Sequence, residues 1–356
     1  MAESGGKERR TELLGLTLAE AREFFERSGH PPYRADQVFD WVYSKRREDP
    51  REMTNLPLAL REWLAGAIVI GLPGVVTSTR SRDGGATKYL FGLADGNAVE
   101  GVLMRHDYGL TACVSSQVGC KMACGFCASA AGGFVRNLGA AEMVGQVTSI
   151  NRALPPDRRV ARVALMGSGE PLDNYANCLR FIRIINEPAG LNIGMRHITL
   201  STCGIVPGIK RLQGEGLPIT LGVSLHAPND ELRSRLMPVA GQYPLGELVA
   251  TCRDYANATG RRVSFEYALI DGVNDGHEHV RELARLLKGG LFHVNLIPYN
   301  PVEGRPFRTS PPAKVKEFIS LLENMGIAVT VRRGFGTDLD AACGQLRRRR
   351  GSAGGV

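Results

Sequence analysis

Three cysteines in one short run, Cys120, Cys124 and Cys127 within Gly-Cys-Lys-Met-Ala-Cys-Gly-Phe-Cys-Ala, are the residues whose type and spacing promise chemistry first. The pattern is C-x3-C-x2-C. Three thiolates on one loop can hold three corners of a four-iron cluster and leave the fourth iron open to a substrate or cofactor. The alternative is structural zinc. That metal wants four closed ligands, and the next histidine after the loop is His197, far along the chain.

The chain has eight cysteines. This number, in a chain expected to stay in a reducing compartment, argues for metal binding or catalysis rather than a disulfide framework. Cys178, Cys203 and Cys252 fall in apolar helix or strand patterns and read as small core residues. Taken alone, Cys113 reads as a buried strand residue and Cys343 as a thiol in a glycine-bearing loop.

The elements that must position the loop follow from length and pattern. A chain of 356 residues is long enough for one large α/β domain and a smaller one. No apolar run approaches the roughly 20 residues that span a bilayer. The N-terminus lacks the apolar stretch of a signal peptide, so a cytoplasmic location and no membrane partner are expected. The net charge is +8, and the last 26 residues carry six basic groups against two acidic, mainly in Arg347–Arg350. Such a tail suits a phosphate backbone or is a solvated end.

The first sixty-odd residues read as short helices. Thr17-Leu-Ala-Glu20 is a capping box with Gly29 as a stop. Val38, Trp41 and Val42 make an apolar stripe, and a third helix is expected to begin near Pro57. Asp95-Gly96 then marks a hairpin between Lys88–Leu93 and Ala98–Met104. From 110 onward strand and helix alternate. Six strands are expected: Leu110–Ser115, Val163–Met166, Ile198–Thr202, Ile219–Leu225, Val263–Ile270 and Phe292–Pro298. Helices are expected near 140–153, 174–186, 205–213, 245–259 and 278–288. This is an α/β chain with parallel strands and right-handed crossovers, a partial (β/α)6 barrel. Its functional groups belong at the carboxyl ends of the strands. Those ends carry Gly169-Glu170, Ser201, Ser224-Leu225-His226 and Asn300. Glu170 could take an ammonium group.

The stretches Cys113-Val-Ser-Ser-Gln-Val-Gly-Cys120, Gly169-Glu170-Pro171-Leu172, Ser224-Leu225-His226, Pro298-Tyr299-Asn300 and Ala342-Cys343-Gly344-Gln345-Leu346 stand in the order and spacing of one family. With Leu13-Leu14-Gly15 and Met53-Thr54-Asn55-Leu56-Pro57, they make the chain resemble the radical S-adenosylmethionine adenine methyltransferases of the RlmN/Cfr type. The resemblance runs through nearly the whole chain.

It implies a division into an N-terminal helical, RNA-binding-like accessory domain at 1–70 and a β-hairpin extension at 71–109. A radical SAM barrel at 110–335 and a catalytic-cysteine loop with basic tail at 336–356 complete it. It implies a [4Fe-4S] cluster on Cys120, Cys124 and Cys127. S-adenosylmethionine, two molecules per turnover, would contact Gly169, Glu170, Ser201, Ser224, Leu225, His226 and Asn300. By the same resemblance Cys343 carries the methyl group and Glu100 accepts the ring proton. Cys113 then resolves the protein–RNA adduct through a transient disulfide with Cys343. The implied partners are 23S rRNA in its peptidyl-transferase region, a tRNA adenosine beside the anticodon, and an electron donor such as flavodoxin or ferredoxin. The protein is expected to be a monomer. Methylation of carbon 2, as in the housekeeping branch, is the leading expectation. Carbon 8, as in the resistance branch, is the first alternative. A non-catalytic metal-containing RNA-binding protein is the alternative of another class.

Overall fold

The computed structural model describes residues 10–332. Cys343 and Arg347–Arg350 lie outside the described residues.

Three helices open the chain: α1 (Leu18–Arg27), α2 (Arg34–Phe39) and α3 (Leu58–Ala67). The capping box forms as expected: Thr17 N–H donates to Glu20 Oε2 (2.8 Å), and Glu20 N–H to Thr17 Oγ1 (3.3 Å). Gly29, at φ +78°, ends the first helix. Val38 and Val42 are buried, and Trp41 packs against them half-buried. The helical unit sits on the rest of the molecule. The Arg46 guanidinium donates to the carbonyls of Asn151, Leu154 and Arg158, and Arg180 Nε donates to Gly15 O (2.7 Å). One apolar core runs through both parts, from Phe25 and Leu64 to Phe265 and Leu283.

Ten strands form the central sheet in sequential order. Strands β1 (Gly74–Arg80), β2 (Ala86–Gly92), β3 (Ala98–His106) and β4 (Gly109–Cys113) pair antiparallel. From β4 the sheet is parallel: β5 (Val160–Leu165), β6 (Ile198–Thr202), β7 (Thr220–Ser224), β8 (Val263–Leu269), β9 (Phe292–Pro298) and β10 (Val329–Val331). The connecting helices are α4 (Ala140–Arg152), α5 (Tyr175–Asn186), α6 (Val206–Gly214), α7 (Asp230–Leu236), α8 (Leu245–Thr259), α9 (His277–Leu287) and α10 (Pro312–Asn324). The expected α/β architecture is therefore present: a mostly parallel sheet with a small helical unit at one end.

The six expected parallel strands are all present, and a short further one, β10, extends the sheet beyond them. Three residues are too few to show an alternation. The strand β1 also went unpredicted, because it lies almost wholly exposed and has no buried face to pattern. No described helix is long and apolar enough to cross a membrane.

Candidate active site

The cysteine loop follows β4, at the carboxyl ends of the parallel strands. A cavity of about 580 Å³ opens there, within the usual range for a bound small molecule. Side chains from β2 through β9 reach it, so the sheet curves around it.

Cys120, Cys124 and Cys127 all line this cavity. Burial pushes the Cys120 thiol up to about 11, and the Cys124 thiol is raised further by burial and by the neighbouring Cys127 and Cys120. Three crowded, desolvated thiols hold little negative charge unaided; binding to iron offsets that cost. Three thiol donors on one loop, open to the cavity on one side, suit a cluster with one free corner. Arg233 on α7 is fully buried beside them and lowers Cys124 by its charge. It donates to Cys203 O (2.7 Å). The same helix anchors the loop through Gly125 N–H to Leu236 O (2.8 Å).

The turn after β5 is built by close backbone approach. A Cβ on Gly167 would lie 2.7 Å from Ser115 Oγ and Val114 O. One on Gly169, at φ +112°, would lie 2.7 Å from Gln117 N. Gln117 knits the turn to the loop: its Oε1 accepts from Glu170 N–H (2.9 Å), and its Nε2 donates to Asp173 Oδ2 (2.8 Å). Gly169→Ala should therefore cost about 2–5 kcal/mol, combining overpacking with backbone strain. Urea unfolding of the Gly169→Ala protein checks this, and an unshifted midpoint would refute it. The Glu170 carboxylate lines the cavity but is already engaged. Its oxygens accept from Leu172 N–H (3.0 Å) and Cys203 N–H (2.7 Å), and burial still holds its pKa above the ordinary value.

His226 lies two residues beyond β7 with φ +57°, a backbone state costly for most residues. Asn274, fully buried, holds it there by donating to His226 O (2.8 Å) and Ala268 O (2.6 Å). His226 Nδ1 accepts from Ala268 N–H (2.9 Å), and Phe126 of the cysteine loop packs edge-on against the ring. Burial lowers the imidazole to about 3. The unfolded chain, near 6.5, binds one more proton between those values. The protein should thus lose about 1.4 kcal/mol of stability per pH unit from this group as pH falls from 6.5 toward 3. His226→Asn keeps an acceptor and tolerates the backbone. Its unfolding midpoint should vary less with pH over that window, and an equal slope would count against this origin.

On the other wall, β2, β3 and β4 set a row of side chains toward the cavity. Lys88 pairs in register with Val102, and Val102 with Cys113. All three line the cavity. Glu100, two residues before Val102, shares their face. Its carboxylate meets Lys88 Nζ at 3.0 Å, and both side chains are almost fully buried. Ser115 Oγ donates to Glu100 O (2.6 Å). Glu100 is therefore not a solvated strand residue.

Of the residues expected to bind cofactor, Gly169, Glu170, Ser201, Ser224, His226 and Asn300 line this cavity. Leu225 does not. It is fully buried in the main core, and its N–H donates to Glu266 O (3.0 Å). Ser224 ends β7 facing the cavity, and His226, beyond the strand at φ +57°, lines it as well. Cys178 and Cys252 are core residues as expected, whereas Cys203, though buried, lines the cavity. No disulfide joins cysteines among the described residues. Lys88, Arg233 and Asn274 escaped the sequence reading. A lysine inside an alternating strand pattern was the one signal available.

Comparison with known proteins fits this geometry. Residues 114–287 match the Radical SAM superfamily, and residues 11–70 match the Ribosomal RNA large subunit methyltransferase N-terminal domain. A protein of Symbiobacterium thermophilum is 55% identical over 96% of this chain and 92% of its own length. It is named "Probable dual-specificity RNA methyltransferase RlmN". A protein of the same name from Pelotomaculum thermopropionicum is 56% identical over the same shares. The crystal structure of a radical SAM methyltransferase from Sphaerobacter thermophilus superposes with a TM-score of 0.90 at 47% identity, covering 94% of this chain and 98% of that one. A cysteine loop at the mouth of a mostly parallel sheet, a helical unit of the matching kind and identity above one half along nearly the whole chain agree: the chain belongs to the RlmN family of radical SAM methyltransferases.

Proposed function

We propose that the protein methylates carbon 2 of an adenosine in 23S rRNA, and of an adenosine beside the anticodon in tRNA, through a covalent protein–RNA intermediate. The observation that carries this reading is that Cys113 opens into the same cavity as Cys120, Cys124 and Cys127. A generator of radicals alone has no use for a thiol on that wall, outside the cluster loop.

Cys120, Cys124 and Cys127 would hold a [4Fe-4S] cluster, which together with S-adenosylmethionine would supply a methyl group and radical chemistry, with two molecules of the cofactor used per turnover. Gly169, Glu170, Ser201, Ser224, His226 and Asn300 would hold that cofactor. The Cys343 thiolate would take the first methyl group by displacement. Once the cysteine-bound carbon radical has added to the ring, Glu100 would accept the ring proton while the unpaired electron returns to the reducing system that supplied it. Lys88, 3.0 Å from that carboxylate, would keep it aimed. Cys113, as thiolate, would attack the Cys343 sulfur. A sulfur–sulfur bond forms, the sulfur–carbon bond breaks, and the departing carbon takes a proton to become the methyl group. The disulfide must then be reduced by an external dithiol. The helical unit at 11–70 is proposed to grip RNA. The protein would work as a cytoplasmic monomer with flavodoxin or ferredoxin as electron donor.

Anaerobic incubation of the iron- and sulfide-loaded protein with protein-free rRNA and tRNA, followed by mass spectrometry of the nucleosides, tests this. The expected product is 2-methyladenosine. 8-Methyladenosine would assign the resistance-type reaction instead, and no methylated adenosine would defeat the proposal.

A further inference from the structure

A second cavity, also of about 580 Å³, lies at the opposite end of the barrel. It is reached at the amino ends of the parallel strands, where Thr199, Thr220 and Ser264 face inward. Met104, Met166, Glu266 and Arg332 line both cavities, so the two adjoin inside the sheet.

The wall of this second cavity is strongly cationic. Arg162, Arg196 and Arg332 converge on it, with His106 and His197 beside them. Its acidic members are Asp107 and Glu266, and Glu266 is held by Ser264 Oγ (3.1 Å) and Asn295 Nδ2 (2.7 Å). Arg162 and Arg196 make no ion pair among the described residues, unlike Arg22, Arg136, Arg152, Arg180 and Arg183. Arginines that outnumber the carboxylates of the wall and form no pair with them leave a positive field and spare donors whose fork geometry matches phosphate.

An aromatic platform adjoins them. His106 and Tyr108 stack at 4.6 Å between ring centroids and 10° between planes. The Arg162 guanidinium lies 4.7 Å from the Tyr108 ring centroid. Tyr108 is nonetheless 63% exposed. An arginine-backed aromatic ring with an open edge beside a basic groove is how proteins grip single-stranded nucleic acid.

We infer that this cavity is a second RNA-docking site, which takes phosphate groups of a single-stranded segment on Arg162 and Arg196 and sets a base against the open edge of Tyr108. The inference rests on the reading that the substrate is RNA. Tyr108 sits in the turn between β3, which carries Glu100, and β4, which ends at Cys113. With β4 spanning about 15 Å, RNA held here is tethered close to the methylation cavity and never enters it.

The test is binding of a fluorescent single-stranded oligoribonucleotide to the full-length protein, followed by anisotropy across a range of salt. The Arg162→Glu/Arg196→Glu protein should bind at least ten-fold more weakly. Two fewer phosphate contacts should make its slope of log affinity against log salt shallower by about 1.4. Arg162→Gln/Arg196→Gln should show the same change in slope without reversed charge, which guards against misfolding. Tyr108→Ala should abolish photocrosslinking of a 5-bromouridine probe to the tryptic peptide that holds residue 108. Unchanged affinity and slope in both double variants would overturn the inference. A site that binds inorganic phosphate but leaves oligonucleotide affinity untouched by the variants would overturn its RNA source. Methylation by the unaltered protein, measured in parallel, shows separately whether the RNA-substrate reading itself stands.

Discussion

Protein carrying Cys113→Ala should emerge from expression joined to RNA through Cys343. Cys113 closes β4 and lies buried in register with Val102, facing the cavity. Removal of its sulfur leaves a strand-compatible side chain, so the fold should persist, at a cost of about 1 kcal/mol. What disappears is the thiol that would cleave the carbon–sulfur bond of the adduct. Every earlier step remains possible, and the chain stops with RNA attached. A nuclease-trimmed adduct on the tryptic peptide containing Cys343 is the readout. Cys113→Ala/Cys343→Ala should carry none. Preparations of Cys113→Ala that hold only RNA-free protein would contradict the role assigned to Cys113.

The second large effect concerns Glu100 and Lys88. Glu100→Gln keeps the size of the side chain and removes the proton acceptor. Turnover should fall by about 10²–10⁴-fold, and an unchanged rate would remove Glu100 from the mechanism. Lys88→Met acts differently. It leaves the Glu100 carboxylate buried without its ammonium partner, at a cost of about 3–5 kcal/mol. The double variant Lys88→Met/Glu100→Gln carries no buried charge and should recover much of that stability while turnover stays low. That divergence separates the structural role of the pair from its chemical one. An unfolding midpoint for Lys88→Met within 0.5 kcal/mol of the parent, an order-of-magnitude margin for a harmless substitution, would refute the structural part.

Much of this site was legible from the chain. The C-x3-C-x2-C spacing is local, and the strand-helix alternation is carried by long apolar periods, so Cys120, Cys124, Cys127 and the ends of β5, β6, β7 and β9 fell where pattern put them. Two kinds of feature were not legible. Short or unburied strands have no pattern, as with Val329–Val331 and Gly74–Arg80. Partners distant in sequence also leave no local trace. Arg233 reaches the carbonyl of Cys203, and Asn274 bonds His226 O, only after the barrel has closed. Leu225, just beyond the end of β7, packs into the core while Ser224 and His226 line the cavity, a difference the motif does not carry. The resemblance supplied the pairing of Cys113 with Cys343, which no spacing could suggest.

The central claim is that the methyl group reaches RNA by way of a cysteine-bound carbon that loses one hydrogen. Supplying S-adenosylmethionine with a fully deuterated methyl group tests it directly, with the mass of the methyladenosine as the readout. By atom balance, one deuterium is abstracted and one proton returns when the carbon–sulfur bond breaks. The product methyl group should therefore retain two of its three deuteriums. Retention of all three would mean transfer of an intact methyl group and would contradict the assigned roles of Cys343 and Cys113.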